Sequence, residues 1–269
     1  MSQVQSYEAL SLFECSINAF VEFLHRTDDW DVVKLLPIRI KDVLFSMMSV
    51  RGKVTDKNIE AVIHKKVKVA NLMECEITDY GLLQLAECEE LQMLNLDSVD
   101  PRENISSTAF ATLFDSCRKL REVCLSHCVN IADDAVNTLA VSCPNLACLD
   151  ISNCINLTNR SLEALGMFAH NLEFINFSNT MVHDEGVRLL VSGACKDKLK
   201  EICMKNCCFL TSNAVKHVAV NCSNLSIFTF DEYPVIYFES DGEMDSDPEI
   251  ELFLNEQRRF RKQISWTIS

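Results

Sequence analysis

Fourteen cysteines and six histidines are the residues of this 269-residue chain whose chemistry asks for explanation first. Thiolates and imidazoles bind zinc, and a thiolate activated by an imidazole is a nucleophile. Their spacing supports neither use. No two cysteines stand as a C-x-x-C pair, and no cysteine–histidine set has zinc-finger spacing. His25, His64, His127, His170, His183 and His217 are scattered, and none sits in a local nucleophile or metal motif. The glycine-rich loops that cradle phosphates, the G-x-S-x-G elbow and H-E-x-x-H are all missing from the sequence. The reading is a protein that is not an enzyme and carries no metal and no cofactor.

In a small secreted domain so many cysteines would form disulfides. Here Met1 to Leu10 has neither the basic start nor the apolar run of a signal peptide. No stretch approaches the roughly 18 apolar residues of a membrane span. Free thiols and a cytoplasmic or nuclear location are expected, with no membrane contact. The net charge of −14 argues against nucleic acid, whose phosphates call for lysine and arginine, and points to basic protein partners through long-range steering.

What positions these residues is a repeat. The pattern L-x-x-L-x-L-x-x-C begins at Val67, Leu91, Leu120, Leu146, Leu172, Leu199 and Leu225, with spacings of 24, 29, 26, 26, 27 and 26 residues. Its last position holds Cys75, Val99, Cys128, Cys154, Thr180, Cys207 and Tyr233. Seven units of this length define an α/β leucine-rich-repeat solenoid, a horseshoe with parallel strands on the concave face and helices on the convex one. The second half of a unit reads as an N-capped helix: Ile77-Thr78-Asp79, Ile131-Ala132-Asp133, Leu157-Thr158-Asn159 and Leu210-Thr211-Ser212 each precede apolar residues three apart. Val54-Thr55-Asp56 begins one more helical half that lacks a strand. The cysteines then fall into two structural ladders. Cys75, Cys128, Cys154 and Cys207 follow the strand, where a small side chain turns inward and can hydrogen-bond weakly to the turn. Cys88, Cys117, Cys143 and Cys222 end the helix.

Three regions follow: a helical one over 1–50, the repeats over 51–238 and an irregular end over 239–269. At the start, Leu10 to Leu24 reads as one helix and a second begins at Leu36-Pro37, with Ile40, Leu44 and Met48 on one face. At the end, seven acids and no base lie between Glu239 and Glu251, half of the net charge. Ser240 and Ser246 in that stretch fit an acidophilic kinase. Arg258, Arg259, Arg261 and Lys262 form a basic cluster, and Gln263 to Ile268 alternates as a closing strand would.

Side chains alternate along a strand, so residues between the inward leucines face the concave side. One such row is Val69, Met93, Glu122, Cys148, Phe174, Glu201 and Ile227, and the next is Asn71, Asn95, Cys124, Asp150, Asn176, Cys203 and Thr229. A third row is Met73, Asp97, Ser126, Ser152, Ser178, Lys205 and Asp231. The first row is rich in apolar groups, which suggests a partner protein, with Phe174 as anchor. Cys124, Cys148 and Cys203 are the thiols expected to be accessible. The chain is expected to be a monomer.

The repeat, with its C-x-x-L, L-x-L-x-x-C and L/I-T-D signatures, resembles the cysteine-containing repeats of F-box/leucine-rich-repeat proteins over roughly Val54 to Tyr233. Nearly the whole chain, from LLPIRIKDVLFSMMSVRGKVTDKNIEAVIHKKV to the closing KQISWTIS, is similar to the metazoan homologues of the antagonist of mitotic exit network family. The first resemblance implies a substrate-recognition subunit of an SCF-type ubiquitin ligase, serving ubiquitin-dependent protein catabolism. The second implies a cell-cycle interaction protein acting at mitotic exit. An F-box opens L-P-x-x-I-x-x-x-[IL]-F-S-x-L, and Leu36, Pro37, Ile40, Leu44, Phe45, Ser46 and Met48 fit that opening. The further helices and tryptophan of an F-box do not follow, because the chain passes at Arg51 into the first repeat half. The segment is either a surface that recruits a Skp-type adaptor or a structural cap. In the second case the protein is a stand-alone inhibitor or scaffold.

Overall fold

A computed structural model describes residues 12–230. Three helices come first: α1 (Leu12–Thr27), α2 (Asp31–Lys34) and α3 (Ile38–Val50). A one-turn helix, α4 (Ile59–Val62), leads into a regular alternation of strand and helix: β1 (Val69–Asn71), α5 (Asp79–Leu85), β2 (Met93–Asn95), α6 (Ser107–Ser116), β3 (Glu122–Cys124), α7 (Asp133–Ser142), β4 (Cys148–Asp150), α8 (Asn159–Phe168), β5 (Phe174–Asn176), α9 (Asp184–Val191), β6 (Glu201–Met204), α10 (Ser212–Asn221) and β7 (Ile227–Phe230). The seven strands form one parallel sheet in sequence order, and each repeat pairs in register with the next, Glu122 opposite Cys148 and Cys148 opposite Phe174. The chain is a leucine-rich-repeat solenoid of the α/β class.

The inward leucines make the core. Leu72, Leu94, Leu96, Leu125, Leu149 and Ile151 are fully or almost fully buried, as are the helical partners Leu82, Leu113, Leu139 and Leu165. Between sheet and helices the chain turns on residues with positive φ: Glu74, His127, Asn153, Asn179 and Asn206. Three of the five are asparagine, the residue that tolerates this left-handed region best after glycine.

Two ladders of side chains tie the repeats to one another. The first is made of thiols. Cys154 Sγ donates to the Leu125 carbonyl at 3.2 Å, and Cys207 Sγ to the Phe177 carbonyl at 3.3 Å, each one repeat upstream. Cys75 makes the same contact with the Ser49 carbonyl at 3.6 Å, so the end of α3 stands in for a missing repeat. At the helix ends Cys88 meets the His64 carbonyl, Cys117 the Leu85 and Cys88 carbonyls, and Cys143 the Phe114 and Cys117 carbonyls. Cys195 belongs to this second ladder, buried like the others. It stands four residues before Leu199 instead of three, and that offset hides it in the sequence.

The other ladder is a clasp between helix starts. The Asp56 carboxylate accepts from Thr78 N (3.0 Å) and Thr78 Oγ1 (2.6 Å) of the following unit. Asp79 does the same for Ser106, Asp133 for Thr158 and Asp184 for Thr211. Asn159 Oδ1 accepts from His183 N. Asp79, Asp133 and Asp184 sit at the first turn of their own helices, where the helix dipole favours negative charge, and Asp56 lies just ahead of α4; each fixes the cap of the next helix.

One repeat departs from the pattern. Val99, expected at the inward cysteine position, is 80% exposed. The extra residues of this unit form a loop that returns at Arg102. Its guanidinium donates to the Leu72 (2.9 Å), Cys75 (2.7 Å) and Leu96 (2.6 Å) carbonyls. Leu72 is the residue one repeat upstream that a cysteine in this place would bond, as Cys154 bonds Leu125. One charged side chain thus does the work of the missing thiol.

Candidate protein-binding face

The outward row begins at Val69, which is exposed, and continues through Met93, Glu122, Cys148 and Phe174 to Glu201 and Ile227. Met93, Cys148, Phe174 and Ile227 are half-buried and Glu122 is exposed. Glu201 is only 3% exposed. The strand register places these residues side by side, Met93 opposite Glu122, Glu122 opposite Cys148, Cys148 opposite Phe174 and Glu201 opposite Ile227. The row is therefore contiguous. It is also less open than isolated strands would make it, because neighbouring strands cover much of each side chain.

The second row proves largely architectural. Asn95 is buried, and its Oδ1 accepts from Asp97 N at 2.9 Å. Asn71, Asp150 and Asn176 make the same bond to the amide two residues on. Asn176 Nδ2 also donates to Asp150 Oδ2 at 3.0 Å. These residues end the strands in Asx turns. A partner can touch Asp150 and Asn176, which stay partly exposed, but their residue types answer to the turn. The third row holds a buried serine chain, Ser126, Ser152 and Ser178, in which Ser152 Oγ reaches Ser126 Oγ at 3.2 Å and Asp150 Oδ1 at 2.6 Å. Thr229 and Cys203 are half-buried, and Asp231 lies outside the described residues.

The accessible thiols are not those expected. Cys124, Cys148 and Cys203 are half-buried, and burial with nearby carboxylates pushes their pKa up, to about 12, 11 and 11. Cys15 and Cys208 are the exposed cysteines. Sequence reasoning also passed over an apolar rim where the chain leaves the strands. Ile155, Met181 and Cys208 each follow a residue of the inward ladder and are exposed. Phe209 stacks on His183 with ring centroids 4.5 Å apart. The signal was present in the sequence: an apolar residue directly after the ladder position, in consecutive repeats.

At the N-terminal end, the residues read as a recruiting surface divide. Leu44, Phe45 and Met48 belong to the core, with Leu44 and Met48 fully buried. They close the first repeat, and this corrects their reading as contact residues. Leu36 and Ile40 are half-buried and Pro37 is exposed. The open apolar groups here are Val32, Leu35 and Ile38, with Leu35 87% exposed. Among the described residues, no group of histidine, cysteine, aspartate or glutamate could hold a metal ion, and no helix is long and apolar enough to cross a membrane. The acidic stretch 239–251, the basic cluster at 258–262 and the closing strand at 263–268 lie outside the described residues.

No known family profile matches the chain. Among solved structures, the yeast Rad7–Elc1 complex contains a chain similar at 14% identity and a TM-score of 0.28, over 82% of this chain and 87% of that one. The plant peptide hormone receptor RGFR1, solved with RGF2, is similar at 11% identity and a TM-score of 0.32, over 63% of this chain and 33% of the receptor. Superpositions this loose transfer nothing about partners, and the solenoid is read from the chain's own strand order and ladders.

Proposed function

We propose that this chain is a non-enzymatic protein-interaction solenoid whose strand face receives a partner protein in the cytoplasm or nucleus. The observation that carries the reading is the contiguous outward row from Met93 through Cys148 to Phe174, in which apolar side chains stand in register on a sheet of fixed spacing. Apolar groups gathered on one face of a monomer mark an interaction surface. Co-purification from cells tests it. Met93→Asp with Cys148→Asp is expected to lose bound proteins that Val141→Asp, on the helical face, retains. Equal loss, or equal retention, contradicts the assignment.

A second reading rests on the exposed apolar group of Val32, Leu35 and Ile38 beside Pro37. In it the N-terminal helices recruit a Skp-type adaptor, and the solenoid is the substrate-recognition subunit of an SCF-type ubiquitin ligase. Leu35→Asp with Ile38→Asp should abolish co-purification with the adaptor while leaving the chain folded. No adaptor on the intact, folded chain makes these helices a cap alone. The protein is then a stand-alone cell-cycle inhibitor or scaffold, acting by occupying its partner at mitotic exit.

A further inference from the structure

We infer that the segment received by the strand face is basic, with lysine or arginine interleaved among apolar residues. The inference rests on the protein-binding reading above and adds the chemistry of the partner. It starts from the sign of the charges at the centre of the sheet. Glu122 is exposed on β3, Asp150 lies on the adjoining β4, and Asp97 follows β2. The charged groups acting on the Cys148 thiol are Glu122, Asp150 and Glu201, and those acting on Cys124 are Asp150 and Asp97. Every one is a carboxylate. Apart from Arg102, whose guanidinium is taken up by the Leu72, Cys75, Leu96 and Asp97 carbonyls, the one lysine or arginine at the outward positions of the described strands and in the turns that end them is Lys205, at the far end. Among the described residues Asp97 has an ion-pair partner only in His127, at 3.9 Å, and Glu122 and Asp150 form no ion pair.

Apolar side chains flank this charge directly. Met93 and Cys148 stand on either side of Glu122 in the strand register. A lysine or arginine fits such a site twice over. Its methylene stem lies along the apolar neighbours while its head reaches the carboxylates. A purely apolar segment would bury Glu122 and Asp150 without a counter-charge, which is unfavourable because each carboxylate loses its hydration. An acidic segment would meet like charge at the centre and find cations only at the rim, where Lys68, Arg121 and Lys200 stand one residue ahead of the outward row, Lys200 already paired with Glu173.

Fluorescence anisotropy on the full chain tests this with three labelled peptides, alternating leucine with arginine, with serine or with glutamate. The arginine peptide is expected to bind, and the other two about tenfold more weakly or not at all. Glu122→Lys should weaken the arginine peptide about tenfold, whereas Glu163→Lys on α8, an equal change of net charge, should leave it within about twofold. Serine and arginine peptides bound alike, an equal loss in both variants, or no binding of the arginine peptide each overturns the inference. Failure of the protein-binding reading shows elsewhere, as a partner set indifferent to Met93→Asp with Cys148→Asp.

Discussion

Arg102 and the buried thiols are the residues whose replacement says most about how the repeats are joined. Arg102→Met fills similar space but removes the guanidinium from the Leu72, Cys75 and Leu96 carbonyls, of which the first two keep a backbone donor, Cys75 N and Ile77 N. A lost bond to a charged group costs about 1.5–3 kcal/mol, and a loss of about 3 kcal/mol in urea unfolding is expected for this variant. The thiols predict a pH dependence. Burial raises Cys88 from 9.0 to about 11 and Cys117 to about 12. Below pH 9 both states keep the proton. Above it the unfolded chain loses protons that the folded chain retains, so stability falls as pH rises from about 9 towards 12, by about 1.4 kcal/mol per unit for each such thiol. Cys117→Ala should show a shallower fall over that window than the parent when unfolding midpoints are compared. At neutral pH, brief iodoacetamide treatment followed by mass spectrometry should label Cys15 and Cys208 ahead of Cys124, Cys148 and Cys203. Early labelling of Cys148 would contradict the burial described for the face.

At the scale of elements, the aspartate clasp makes each helix cap depend on the helix before it. Asp184 holds both the amide and the hydroxyl of Thr211. Asp184→Ala is expected to cost about 2 kcal/mol, through those bonds and the acid lost from the first turn of α9. Amide exchange should quicken in α10 more than in α7, because solenoid repeats feel chiefly their neighbours. The sequence disclosed this layer unevenly. Thr78-Asp79 and Thr211-Ser212 were legible because threonine before a polar residue signals a cap. Ser106 and His183 open helices of the same kind, but a loop extended around Arg102 and a histidine in the cap position mask the signature. Which residue Asp79 or Asp184 bonds was not legible at all, since the partner lies one repeat away and only the stacking brings it near. The concave rows were legible as positions, from the period-two alternation. Their roles were not, because whether Asn95 meets a partner or caps a turn depends on the backbone beyond the strand.

For the whole molecule, the solenoid is closed at its first repeat by α3, whose Ser49 carbonyl accepts the Cys75 thiol as a preceding repeat would. Residue types could not tell a recruiting helix from a cap, because both need apolar residues four apart. Packing decides for Leu44, Phe45 and Met48, which lie in the core. Leu44→Asp is expected to destabilise by 3 kcal/mol or more, on the order of losing a fully buried leucine, whereas Leu35→Asp should leave the thermal midpoint nearly unchanged. Photo-crosslinking in cells, with a benzophenone side chain placed in turn at positions 122, 148 and 141, tests whether a protein partner sits on the strand face. Discrete adducts are expected from 122 and 148 on the sheet and none from 141 on α7; adducts from 141 with none from the sheet positions would show that the partner sits elsewhere.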